Sequence, residues 1–113
     1  MTKVYEKLEK TDIIVIASPV YFYGISAKLK AIVDRLHSPK RNAFKVKKLG
    51  LLLVAADTLP TVFDAIKVQY QSVLDYFKLE DEGKVLVRGV IEKGDIEGNE
   101  ALEEAYNFGK NIR

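Results

Sequence analysis

Three short runs of consecutive apolar residues divide the chain: Ile13-Ile14-Val15-Ile16-Ala17, Leu51-Leu52-Leu53-Val54-Ala55-Ala56, and Val85-Leu86-Val87 continuing to Val90-Ile91. None alternates with polar positions. A strand with one wet face alternates, whereas an unbroken run of this length marks a strand buried on both faces, as in a parallel sheet. β-Branched residues strengthen the first and third runs, and the leucine-rich second has the weakest strand preference.

The intervening segments carry a helical period and are long enough to serve as crossovers. After the first run, Leu29, Ile32, Val33 and Leu36 fall at i, i+3, i+4 and i+7, with Lys28, Lys30, Asp34 and Arg35 opposite them and Ser26 placed as an N-cap. After the second, Ile66, Tyr70, Val73, Leu74 and Phe77 repeat the pattern, and Thr61 with Asp64 three residues on resembles a capping box. After the third, Leu102, Ala105, Tyr106 and Gly109 mark a last helix. It has Glu100, Glu103 and Glu104 in its first turn and Lys110 and Arg113 at its end, matching the helix dipole. Val4, Tyr5 and Leu8 suggest a short opening helix.

The order is therefore α-β-α-β-α-β-α, which predicts one open, doubly wound α/β domain over 1–113. There is no internal repeat, low-complexity segment or interdomain linker. The longest stretch without a period, His37 to Lys48, reads as a surface loop.

Composition narrows the chemistry. The chain has 113 residues, a net charge of +2, 48% hydrophobic and 30% charged residues, as an ordinary globular domain has. The absence of cysteine excludes a disulfide framework, a thiolate zinc site, a cysteine-held iron–sulfur cluster and a cysteine nucleophile within this chain. A lone His37 argues against a histidine-rich metal site, and it reads instead as favourable to the preceding helix dipole. No apolar run approaches the roughly 20 residues of a membrane span, and MTKVYEKLEK is charged rather than signal-like, so a cytoplasmic location without membrane attachment is expected. The cations Arg35, Lys40, Arg41, Lys45, Lys47 and Lys48 read as a solvated loop, and no aromatic-interleaved basic motif indicates nucleic acid. Glu80-Asp81-Glu82 and the acids from Glu92 to Glu104 make the last third acidic, an asymmetry expected to assist self-association.

In open parallel sheets, ligands bind beyond the carboxyl ends of the strands. Ser18-Pro19-Val20-Tyr21-Phe22-Tyr23-Gly24-Ile25-Ser26 follows the first strand. Pro19 fixes its backbone and lacks a donor, and Gly24 permits conformations other residues resist. Three consecutive aromatics there can face a planar ligand.

The stretch from Ala17 to Arg35, S-P-V-Y-x-x-x-x-S-A-x-L-K-x-x-x-D-R from Ser18 onward, resembles the third-strand loop and following helix of the NADPH-dependent FMN reductase and iron–sulfur flavoprotein family. Val62-Phe63-Asp64-Ala65 and Lys93-Gly94-Asp95-Ile96-Glu97-Gly98-Asn99 are also similar to the later part of such proteins. The resemblance implies a three-layer flavodoxin-like fold, here a truncated parallel sheet of about three strands with helices on both faces. It implies FMN as cofactor and NAD(P)H as electron donor, with Ser18, Pro19, Val20, Tyr21, Phe22, Tyr23 and Gly24 as the flavin contacts. No catalytic side chain is required, because the redox chemistry belongs to the cofactor.

Two features depart from that pattern. The family's phosphate-holding loop follows its first strand, and this chain is expected to lack that strand, the loop and the second strand. A βαβ unit takes about 30 residues, so five strands need about 150. The loop Ala55-Ala56-Asp57-Thr58-Leu59-Pro60-Thr61 is not glycine-rich, and Asp57 reads as a helix-start residue. Two functions follow: an FMN-dependent NAD(P)H oxidoreductase or a fragment of one, and a non-catalytic flavodoxin-like remnant acting as an oligomeric binding or structural module. In either case strand 13–18 is expected to form an apolar edge that pairs in a homodimer or with a complementing chain.

Overall fold

The three apolar runs lie side by side as parallel strands. In the computed structural model, which describes residues 1–112, the elements are α1 (Thr2–Leu8), β1 (Ile13–Pro19), α2 (Ala27–Asp34), a 3-10 turn (Pro39–Ala43), β2 (Lys48–Val54), α3 (Asp64–Phe77), β3 (Glu80–Val87) and α4 (Ala101–Lys110). The sheet order is β1-β2-β3, with both pairings parallel. Ile16 stands beside Leu51, and Leu53 beside Leu86. The sheet therefore has the three parallel strands expected.

Helices cover both faces, as the unbroken runs require. On one face Leu49, Leu51 and Leu53, with Ile14 and Ile16 beside them, pack against Phe63, Ile66, Tyr70 and Leu74 of the α3 region, and Phe63 and Leu53 are wholly buried. On the other, Val85 and Val87 pack with Leu52 under Ala101, Ala105 and Phe108 of α4. The Phe108 ring lies over Gly50 and Gly83, which are paired across β2 and β3. A Cβ would stand 2.7 Å from that ring at Gly50 and 3.0 Å at Gly83. The missing side chains make room for the aromatic.

Several boundaries differ from the sequence reading. β2 begins at Lys48, before the leucine run, and β3 begins at Glu80, inside an acidic stretch that hydropathy alone assigns to solvent. Those acids have partners. Glu82 meets Lys48 at 3.6 Å, and Asp81 pairs with Lys84 and accepts from the Gly83 amide. Glu82 is the extra residue of a bulge, since Leu49 pairs with Asp81 and Gly50 with Gly83. Val90 and Ile91 do not continue the strand, because Gly89 turns the chain at φ +73°. Ser26 is the N-cap of α2, its hydroxyl accepting the Leu29 amide at 3.2 Å. The Thr61–Asp64 capping box does not form: the N-cap of α3 is Phe63, and the Thr61 backbone carbonyl, not its side chain, accepts the Asp64 amide. Lys110 closes α4 as expected, whereas Arg113 lies outside the described residues. His37 turns its ring edge-on to Tyr76, at 5.4 Å between centroids, while its backbone amide donates to the Asp34 carbonyl at the end of α2 at 3.3 Å.

No helix among the described residues is long and apolar enough to cross a membrane.

Candidate functional site

The chain leaves the carboxyl end of β1 and reverses within four residues. The Val20 amide donates to the Val54 carbonyl at 2.8 Å, which fixes the loop to the end of β2. The Tyr21 amide then donates to the Gly24 carbonyl at 2.8 Å, and the Gly24 amide returns to the Tyr21 carbonyl at 3.1 Å. This is a two-residue hairpin, and its tip residues Phe22 and Tyr23 have φ of 47° and 67°. Positive φ at both tip positions is the signature of a type I′ turn, for which asparagine and glycine are the usual residues. Gly24 is not the left-handed position that the sequence suggests; two bulky aromatics occupy it instead. Each stores of order 1 kcal/mol of backbone strain, a feature concentrated at functional sites.

Ser18 holds the loop at its base. Its side chain is buried; the hydroxyl donates to the Pro19 carbonyl at 2.7 Å and accepts the Ser26 amide at 3.0 Å. Because Ser26 in turn caps α2, the end of β1, the loop and the start of α2 form one hydrogen-bonded unit. Val20 and Ile25 pack inward against the sheet core.

The seven residues expected to contact flavin run without a break from the end of β1 through the hairpin, and apart from the half-buried Gly24 they divide into two groups. Ser18 and Val20 face inward and shape the loop. Pro19, Tyr21, Phe22 and Tyr23 are exposed, Phe22 at 95%. The Phe22 and Tyr23 rings meet edge to face at 5.5 Å. Among the described residues, the amides of Phe22, Tyr23 and Ile25 have no backbone acceptor. The loop thus presents a rigid aromatic surface with unused N–H donors, a combination suited to a planar heterocycle.

The neighbouring strand ends complete this edge of the sheet. Ala55 donates to the Val87 carbonyl at 2.7 Å, Val90 to the Ala55 carbonyl at 3.1 Å, and Gly89 to the Asp57 carbonyl at 3.4 Å, so the loops after β2 and β3 are tied together. Arg88, which sequence reasoning missed, locks them: its guanidinium donates to the Leu59 and Pro60 carbonyls at 3.2 and 3.1 Å and lies 4.7 Å from the Phe63 ring centre. Its position directly after the third apolar run is the signal that could have found it. Asp57 is not a helix-start residue. Its carboxylate accepts the Leu59 amide at 2.9 Å in a turn well before α3. Asp95 organises the loop after β3 in the same way, and the Glu92 and Ile91 amides that it accepts hold its carboxyl below the usual range. Leu59 and Ile91 remain exposed beside these turns.

The family model described as NADPH-dependent FMN reductase matches residues 1–88. An iron–sulfur flavoprotein from Methanosarcina thermophila is 41% identical over 54 residues, which span 47% of this chain and 28% of that protein. Among solved structures, the Trp repressor binding protein from Bacillus subtilis superposes with a TM-score of 0.81 at 22% identity, over 99% of this chain and 77% of the other. An NADPH-quinone reductase from P. pentosaceus gives 0.80 at 16% identity, over 99% and 75%. An NAD(P)H:quinone oxidoreductase from Methanothermobacter marburgensis gives 0.80 at 18% identity, over 99% and 64%. The fold is flavodoxin-like.

Proposed function

The chain belongs to the NADPH-dependent FMN reductase family, and from that footing we propose that it forms the ring-side wall of a flavin site in an FMN-dependent NAD(P)H oxidoreductase. The observation that carries this reading is the Tyr21–Gly24 hairpin, where two aromatic residues are held in left-handed backbone at the mouth of the sheet. Packing within the chain does not account for Phe22, which is almost fully exposed. A ligand laid across the loop does.

The residues present fit a flavin ring. Unused amides at Phe22, Tyr23 and Ile25 match the carbonyl and nitrogen acceptors along the ring edge, and Tyr21, Phe22 and Tyr23 offer apolar area for its faces. When bound, FMN supplies the chemistry by accepting a hydride from NAD(P)H and passing the electrons to an acceptor. The protein's part is positioning. Ser18 and Ser26 fix the base of the loop, Val20 anchors it to β2, and Arg88 keeps the adjoining turn closed. The amides and rings that this chain offers suit the flavin ring, so recognition by them is directed at the ring.

The test is a flavin titration of the 113-residue chain. Quenching of flavin fluorescence, with similar affinity for FMN and riboflavin, is expected. Bleaching of the bound flavin by NAD(P)H without oxygen would extend the reading to turnover. No quenching at high micromolar flavin would overturn it in favour of a flavin-free binding module.

A further inference from the structure

β1 has one unused edge, and its hydrogen-bonding groups can be assigned from the parity of its pairing with β2. Pro19 stands opposite Val54, and the Val20 amide donates to the Val54 carbonyl. In a parallel ladder, N–H and C=O groups point alternately to the two sides. The even-numbered residues Ile14, Ile16 and Ser18 therefore face β2, and Ile13, Val15 and Ala17 point outward. Among the described residues β1 pairs with no strand other than β2. The outward row stops at Pro19, which has no N–H to offer.

Before Pro19 this edge has none of the usual protection. Ile13 to Ala17 carry no charge, no bulge falls within the strand, and Val15 and Ala17 are exposed. An uncharged edge with free donors and acceptors is a template for another strand. The outward groups are also self-complementary. Reversed about Val15, the row Ile13, Val15, Ala17 meets itself with Val15 opposite Val15 and Ile13 opposite Ala17, and every outward N–H finds a C=O. A net charge of +2 puts little repulsion in the way.

We propose that β1 pairs antiparallel with β1 of a second copy about a two-fold axis at Val15, making one continuous sheet across two chains. This inference is independent of flavin binding. Five paired residues span about 17 Å, a short seam beside the roughly 800 Å² per partner of a standard interface. The dimer is accordingly concentration-dependent.

The register supplies its own test, because Val15 faces Val15 only in this arrangement. Val15→Lys and Val15→Glu place like charges directly opposite across the axis, at a position 37% exposed. Sedimentation velocity at tens of micromolar should show the unaltered chain as a dimer and each variant as a monomer, with the dissociation constant raised more than tenfold. An equimolar mixture of the two variants should recover the dimer. Far-UV circular dichroism checks that both variants are folded, and if either is not, Val15→Thr with Val15→Asn serves as a milder pair whose dimers should weaken without charge. A monomeric unaltered chain would overturn the proposal and leave the edge for a different polypeptide. Dimeric variants, or a mixture that stays monomeric, would overturn the register.

Discussion

The buried hydroxyl of Ser18 accepts the Ser26 amide at 3.0 Å, joining residues eight apart at the two ends of the aromatic loop. Without it the Ser26 amide is left unpaired in a partly buried position, and the loop keeps only its Val20 anchor and the Tyr21–Gly24 bridge. Ser18→Ala is expected to cost about 1–2 kcal/mol. Ser26→Ala, which removes the α2 cap but leaves its own amide bonded to Ser18, should cost about 1 kcal/mol. Urea midpoints measure both. The two variants should separate in flavin titration, with Ser18→Ala the more damaging, because it frees the loop itself.

The hairpin tip offers the converse experiment. Phe22 and Tyr23 hold φ of 47° and 67°, which asparagine and glycine adopt with little strain. Replacing the pair with Asn-Gly should raise stability by about 1–2 kcal/mol while lowering flavin affinity at least tenfold. A gain in urea midpoint accompanied by unchanged flavin quenching would show that the two rings contribute nothing to binding.

The sequence pattern specified the parallel sheet and its crossovers because burial on both faces leaves an unbroken apolar signature, as in Ile13 to Ala17. It concealed the start of β3, where Asp81 pairs with Lys84 and accepts from the Tyr70 hydroxyl, and Glu82 meets Lys48 of the neighbouring strand. Similarly, the residues of the aromatic loop could be picked out one by one, but not their division between inward Ser18 and Val20 and outward Phe22. That division depends on a hairpin whose turn residues contradict local preference. Arg88 was missed because its partners, the Leu59 and Pro60 carbonyls, lie 29 and 28 residues away.

Phe108 lies over Gly50 and Gly83, and α4 depends on this contact to cover the second face of the sheet. Phe108→Ala should cost about 3 kcal/mol and loosen α4 selectively. Hydrogen exchange would show this as faster exchange from Ala101 to Lys110 while β2 retains its protection. Gly83→Ala should also destabilise, since Gly83 has φ +138° and its new methyl would meet the Phe108 ring.

The Tyr70 hydroxyl lies 2.6 Å from the Leu49 carbonyl and 2.8 Å from the Asp81 carboxylate, and burial together with Asp81 raises its pKa, so it remains a donor throughout the ordinary pH range. For Asp81, burial favours the neutral acid, but the Lys84 ammonium, the Tyr70 hydroxyl and the Gly83 amide outweigh it and hold the carboxyl below its usual value. A carboxyl with a lower pKa in the folded chain than in the unfolded one stabilises the fold above the unfolded value, about 3.9. That stabilisation fades as pH falls through the unfolded value and is gone below the folded one, because the unfolded chain takes up the proton first. Tyr70→Phe should lower stability at pH 7 by about 1–2 kcal/mol, having removed the donor to a buried carbonyl. It should also make the acid limb between about pH 5 and pH 2 shallower, since one group favouring the ionised carboxylate is lost. Asp81→Asn should flatten this contribution further while leaving a hydrogen-bond acceptor for Tyr70. Urea midpoints at intervals from pH 7 to pH 3 measure all three chains, and an equally steep acid limb in Asp81→Asn and the unaltered chain would remove Asp81 from the account.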